Sequence, residues 1–211
     1  MDHLPRRLAL SRKGFLALGA AGVASAAADA FGSAAAVAAP QPPAPQGDDL
    51  GFLAFGAVAE GASRAFYHRA LATPDLFDAS ERRRLTQAGK AKREHVIRLA
   101  AAMGPDAVGS GDFETDLPKS SFATRAKALE LGERLEELLV GVYLNGAGYA
   151  ADPGTRLLIG RLLTSDAQLL GSLRAMSGKA IGAGLPSPMT TDDAGAALDK
   201  LITVPGSPGG R

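Results

Sequence analysis

The stretch Gly104-Pro105-Asp106-Ala107-Val108-Gly109-Ser110-Gly111-Asp112-Phe113-Glu114-Thr115-Asp116-Leu117-Pro118-Lys119-Ser120 decides how the rest of the chain is read. Its Gly, Pro and Asp content forbids a regular element, and it is too long for a tight turn. It predicts a long crossover between two pairs of helices. On its N-terminal side one helical pattern runs from about Asp49 to Ala72, with Phe52, Phe55, Ala59, Ala62 and Phe66 at steps of three and four residues. Thr73-Pro74-Asp75 ends it. A second runs from about Ala79 to Met103, opened by Asp78 with Glu81 three residues on and closed by Gly104-Pro105. On the C-terminal side a third helix is expected from about Ser121 to Gly146. A fourth is expected from Pro153 to Ser177, behind the Asp152-Pro153 start signal, and a short fifth from Thr191 to Leu201. Two hairpins joined by one crossover predict an all-α four-helix bundle with a short C-terminal helix.

Composition agrees with that class. Hydrophobic residues make up 46% but aromatics only 5%, with no Trp, which suits Ala- and Leu-rich helix packing. The absence of Cys excludes disulfides, thiolate metal sites and Cys nucleophiles. Net charge is +1, but Arg6, Arg7, Arg12 and Lys13 against Asp2 and Asp29 lie in the first 38 residues, so the remainder is near −1. No basic block or aromatic interleaving marks a nucleic-acid surface. Gly-rich stretches at 104–111 and 178–184 lack a flanking strand and a Gly-Lys-Ser/Thr, so no phosphate cradle is implied.

The N-terminus has the architecture of an export signal. Residues 6–13 are positive, and Phe15 to Ala28 form an Ala/Leu/Gly stretch too short to span a bilayer. Cleavage is expected after Ala38, before the Pro-rich linker of residues 39–48. A folded domain over 49–203 and a disordered tail over 204–211 follow. Ser11-Arg12-Lys13-Gly14-Phe15-Leu16 resembles a twin-arginine signal with Lys13 for the second Arg, which leaves the Sec route open. The expected location is periplasmic or extracellular, and no later segment is apolar enough to span a membrane.

Chemistry in a bundle is sought where charge falls on core stripes. Glu60 lies seven residues from Leu53 and from Tyr67, Lys92 interrupts Leu85, Ala88, His95 and Leu99, Glu136 lies between Leu129 and Tyr143, and Asp166 follows Leu162 by four. A carboxylate-bridged two-metal site needs Glu from two helices and Glu-x-x-His from the other two. This chain has no Glu-x-x-His: Lys92 stands three residues before His95 and Ala65 three before His68.

Several local patterns carry a family resemblance over roughly residues 50–203. They are Glu60 ahead of Phe66-Tyr67-His68-Arg69-Ala70-Leu71, Ser80-Glu81-Arg82 leading to Glu94-His95-Val96, Glu136-Glu137 ahead of Gly141-Val142-Tyr143, and Leu173-Arg174-Ala175. In these the chain resembles the exported bacterial ferritin-like domain proteins of the desiccation-related group. The resemblance implies Glu60, His95, Glu136 and Asp166 as metal ligands. It also implies that Lys92 replaces the second-helix Glu and Leu169 the fourth-helix His. A Lys ammonium among carboxylates can substitute for the metal's charge. The bland alternatives are that Lys92 reaches solvent with Glu60 at the stripe edge, and that His95 is simply packed. His68 is expected on the surface, and His3 falls within the signal.

The basic runs Glu81-Arg82-Arg83-Arg84 and Lys90 to Glu94 read as a solvated face of the second helix, paired with Glu130, Glu133, Glu136 and Glu137 of the third. The functional expectation is an exported ferritin-like bundle with a degenerate two-metal site and a non-catalytic structural, binding or stress-related role, without a cofactor. The rival is an iron- or manganese-binding oxidase or storage protein. A third reading is a homo-oligomer or a module that docks a protein partner on the small residues from Gly141 to Gly148.

Overall fold

The computed structural model describes residues 48–107, 115–180 and 184–202. The expected signal, nearly all of the linker and the C-terminal tail lie outside the described residues. The described residues form five α-helices: α1 (Asp48–Ala72), α2 (Ala79–Met103), α3 (Arg125–Tyr149), α4 (Pro153–Met176) and α5 (Thr191–Leu198). Among the described residues there is no strand.

Local chemistry sets most of the ends. Asp78 accepts from the backbone N–H groups of Ser80 and Glu81 while Glu81 Oε2 accepts from Asp78 N, which makes a complete capping box. Thr124 caps α3 and Asp152 caps α4, with Pro153 in its first turn. The third helix starts at Arg125 rather than Ser121, because Lys119–Phe122 forms a separate 3-10 turn that has the same local composition as a helix. It runs on to Tyr149, past Gly146, whose missing side chain is used for packing rather than for stopping. The fifth helix ends at Leu198, three residues short of expectation.

α1 pairs with α2 and α3 with α4 as hairpins; α1 also packs on α3 and α2 on α4, which leaves α1/α4 and α2/α3 as the diagonals. α1 and α3 run antiparallel, since Phe52 lies against Gly146, Gly56 against Tyr143 and Phe66 against Gly132. These glycines bring the two axes close: a Cβ on Gly132 would stand 2.5 Å from Phe66 Cζ, and one on Gly56 would stand 2.8 Å from the Tyr143 hydroxyl. Phe66 is wholly buried, edge-on to Tyr67 and tilted against Phe122, over which the Arg69 guanidinium sits. Phe122 and Leu117, near the end of the crossover, are buried in the same core.

The bundle end beside the α3–α4 turn is tied by a buried acid. Asp49, 1% exposed, accepts from Ala151 N and Asp152 N at 2.7 Å each. Asp49→Ala leaves two backbone donors without their acceptor and should cost about 2 kcal/mol in urea unfolding.

Two surface expectations are corrected. The acids of α3 other than Glu136 do not pair with α2: Glu133 meets Ser177 and Lys179, Glu137 meets Arg174, and Glu130 meets Arg134 of its own helix. The reason is that α2 is diagonal to α3. The small-residue strip is covered over most of its length, since Gly141 faces Ser187 and Met189 and Gly146 faces Phe52 and Ile159, while Gly148 at its end stays open. Met189 N donates to Gly141 O and Asn145 Nδ2 to Met189 O, which holds the chain before α5 against α3.

Candidate functional site

Each of the four long helices sends at least one ionisable side chain to a single layer at the bundle centre. Glu60 comes from α1, Lys92 and His95 from α2, Glu136 from α3 and Asp166 from α4. Glu60, Lys92, Glu136 and Asp166 are 0% exposed and His95 is 5% exposed. All the stripe-borne charges therefore converge, and His68 is exposed as expected.

Lys92 Nζ is at the centre. It donates to Asp166 Oδ1 at 2.8 Å and lies 2.8 Å from Glu136 Oε2 and 3.0 Å from Glu60 Oε2. All three carboxylates thus lie within ion-pair contact of the one ammonium. His95 Nδ1 lies 3.1 Å from Glu60 Oε1 and 3.3 Å from Asp166 Oδ1. Asp166 Oδ2 is buried with no hydrogen-bond partner. The alternative in which Lys92 reaches solvent is overturned by its complete burial.

An outer ring of hydroxyl donors was not legible as part of the site. Ser63 Oγ donates to Glu136 Oε1 at 2.7 Å and Tyr67 Oη to the same oxygen at 3.0 Å. Tyr143 Oη donates to Glu60 Oε1 at 3.1 Å. The arrangement is reciprocal: α1 supplies the phenol for the acid of α3, and α3 supplies the phenol for the acid of α1. The available signal was that each Tyr lies seven residues after a stripe-borne Glu, and that a buried phenol needs a partner.

Buried acids are costly unless compensated, and the three fare differently. Burial pushes Glu60 up, but Lys92 and His95 outweigh it and hold the carboxyl below its usual value. Burial pushes Glu136 up, and Lys92 and Ser63 do not fully offset it. Asp166 is also raised by burial and by Glu60, against Lys92 and His95. Burial disfavours the charged Lys92, yet Asp166, Glu136 and Glu60 together raise its proton affinity. Tyr67 and Tyr143 are driven well above the ordinary phenol value by burial and the neighbouring acids. Both therefore stay neutral donors.

His95 carries a pH-dependent share of stability. Burial pulls its pKa down, but the bonds to Asp166 and Glu60 win and raise it from 6.5 to about 9. A folded-state value above the unfolded one stabilises fully below the unfolded pKa and is lost as pH rises through the folded pKa. Unfolding free energy should thus decline between pH 6.5 and about 9. His95→Gln should flatten that decline in urea titrations across the range.

Glu60, His95 and Asp166 each offer an atom within 4.8 Å of the others, a spacing that a metal ion could bridge. The side chains on the equivalent stripe positions decide whether one fits. Where a two-metal centre would take an acid from α2, Lys92 stands, and where it would take a His from α4, the side chain is Leu169.

Residues 48–179 match the family described as Ferritin-like domain. No curated protein matches the chain.

Proposed function

The chain belongs to the ferritin-like domain family, and from that premise we propose that it is a member whose metal centre has been replaced by an internal cation, giving a non-catalytic bundle with a structural, binding or stress-related role. The observation that carries this reading is Lys92 Nζ at 2.8–3.0 Å from Glu60, Glu136 and Asp166. An ammonium there occupies the point between the carboxylates at which a divalent ion would balance their charge. A divalent ion there would have to compete with Lys92, and with the protonated His95, for the same carboxylates. The residues present therefore do not fit a two-metal centre. Iron or manganese binding by Glu60, His95 and Asp166 is the competing reading, favoured only by their mutual spacing.

Metal analysis of protein incubated with excess ferrous iron or manganese separates the two. The expected content is far below one ion per chain, and near-stoichiometric metal would overturn the reading. Lys92→Glu, which restores an acid from α2, should take up more of either metal than the wild type.

The same proposal places the protein outside the cytoplasm. Its support is the positive segment 6–13 followed by a short apolar stretch and small-residue cleavage sites. N-terminal sequencing of protein from the cell envelope should read from Ala39, and material beginning at Met1 in the cytoplasm would count against export.

A further inference from the structure

The basic runs of α2 do not meet the acids of α3, and the helix that does lie beside α2 has no acid to offer them. The one carboxylate of α4 is Asp166, held inside the cage, while Arg156 and Arg161 stand exposed on its outer surface. On α2, Arg83, Arg84 and Lys90 are exposed, and among the described residues none of these five cations is in an ion pair. The acids of α2 are both engaged, Glu81 by Arg125 and Glu94 by Arg98. The side of the bundle made by α2 and α4 is therefore positive, in a chain whose charges beyond residue 38 nearly cancel.

Apolar tips accompany the cations. Leu157 is 57% exposed and Leu185 61%. Between them a shallow trough follows α4 past Gly160, Thr164, Ala167 and Gly171, with Arg161 on its border near Leu157 and Arg84 reaching it from α2 near Leu185. Two copies cannot cover this face for each other, because it carries no free carboxylate and a two-fold contact of the face with itself would set arginine against arginine. Nor do the cations converge on one point: from Arg161 to the Ala175 end of the trough, where Arg84 arrives, is about 20 Å of helix. Separated cations with isolated leucine tips among them suit a fluid array of phosphates above an apolar layer.

We propose that the α2/α4 side is a docking surface for an anionic phospholipid bilayer, with Arg83, Arg84, Lys90 and Arg161 at the depth of the lipid phosphates and Leu157 and Leu185 entering the headgroup layer. The bundle lies lengthwise on the membrane, since cations and tips are spread along α4 instead of gathered at one end. A guanidinium suits this role because two of its N–H groups can meet two phosphate oxygens at once. Two leucine tips give only shallow insertion, so charge supplies most of the attraction and the attachment is reversible. The inference rests on the envelope location proposed above, which decides that such a surface is within reach.

The test is co-sedimentation of the purified full chain with vesicles of equal parts phosphatidylethanolamine and phosphatidylglycerol, against vesicles of phosphatidylcholine alone. The chain should sediment with the anionic vesicles and not with the neutral ones, and it should be released as NaCl rises from about 50 to about 500 mM. Arg84→Glu and Arg161→Glu, both at exposed positions away from the cage, should each weaken binding about tenfold or more. Leu157→Ser should weaken it several-fold and leave its salt dependence unchanged. Lys127→Glu, the same charge reversal at an exposed position of α3, should bind as the wild type does. Equal weakening by Lys127→Glu would mean attraction by net charge alone and would overturn the assigned surface. Binding indifferent to both arginine variants, as attachment through residues 6–28 would be, overturns it too. If the anionic vesicles leave the chain in solution, the inference fails, and binding of poly-glutamate that is lost in the arginine variants would then assign the face to an acidic protein. Sedimentation by a chain that is found in the cytoplasm with Met1 intact sinks the export reading alone.

Discussion

Lys92→Met should cost the fold about 3–5 kcal/mol, the range seen when one partner of a buried ion group is removed and the other charges stay. The methionine keeps the length and volume of the stem, so packing is nearly conserved and the loss reports charge. Glu60, Glu136 and Asp166 would face one another with only His95 as a counter-cation. For a domain of this size the midpoint of thermal unfolding should fall by about 10 °C. The deficit should also depend on pH in a definite direction. Without Lys92 the buried acids have folded-state pKa values above their unfolded ones, so they destabilise increasingly as pH rises through the carboxylate range. The variant should therefore stand closer to the wild type at about pH 4 than at about pH 7. Lys92→Met/Asp166→Leu removes one charge of each sign and should recover part of the loss. Urea unfolding of the single and double variants at both pH values checks all of this, and a single variant as stable as the wild type at neutral pH would refute it.

Gly132→Val should cost about 3 kcal/mol, the upper end of ordinary overpacking. The new Cβ would stand 2.5 Å from Phe66 Cζ, 2.7 Å from Phe66 Cε1 and 3.2 Å from Leu173 Cδ1. Phe66 has little room to retreat, being fully buried between Tyr67 and Phe122. Relief must come from spreading α1 and α3, which would pull Tyr67 and Ser63 away from Glu136. A double-mutant cycle identifies the cause. In a Phe66→Leu background, Gly132→Ala should turn neutral or gain up to about 1 kcal/mol, since Ala favours helix over Gly once the clash is gone.

What could be read from the sequence was whatever is local. The capping box at Asp78, the Asp152-Pro153 start and the breakers at Pro74 and Gly104 are decided within a few residues, and they placed most helix ends. The stripe positions of Glu60, Lys92, Glu136 and Asp166 followed from helical spacing, which fixes the face on which a residue lies. Spacing does not say which helix that face meets. For that reason Tyr67 and Tyr143 read as core and not as donors to acids more than 65 positions away. For the same reason the acids of α3 were assigned partners on a helix that proved to be diagonal to it. The start of α3 was misplaced because a 3-10 turn and an α-helical turn draw on the same residues.

The crossed phenols bear on how the molecule assembles. Each half of the chain carries an acid whose hydroxyl partner belongs wholly or partly to the other half, and Phe52, Phe66 and Tyr143 each rest on a glycine across the same divide. The first hairpin holds both central cations, Lys92 and His95, and the buried acids Glu136 and Asp166 of the second hairpin depend on them. The two halves are placed like the subunits of an obligate dimer tied into one polypeptide, so the bundle should unfold as one cooperative unit.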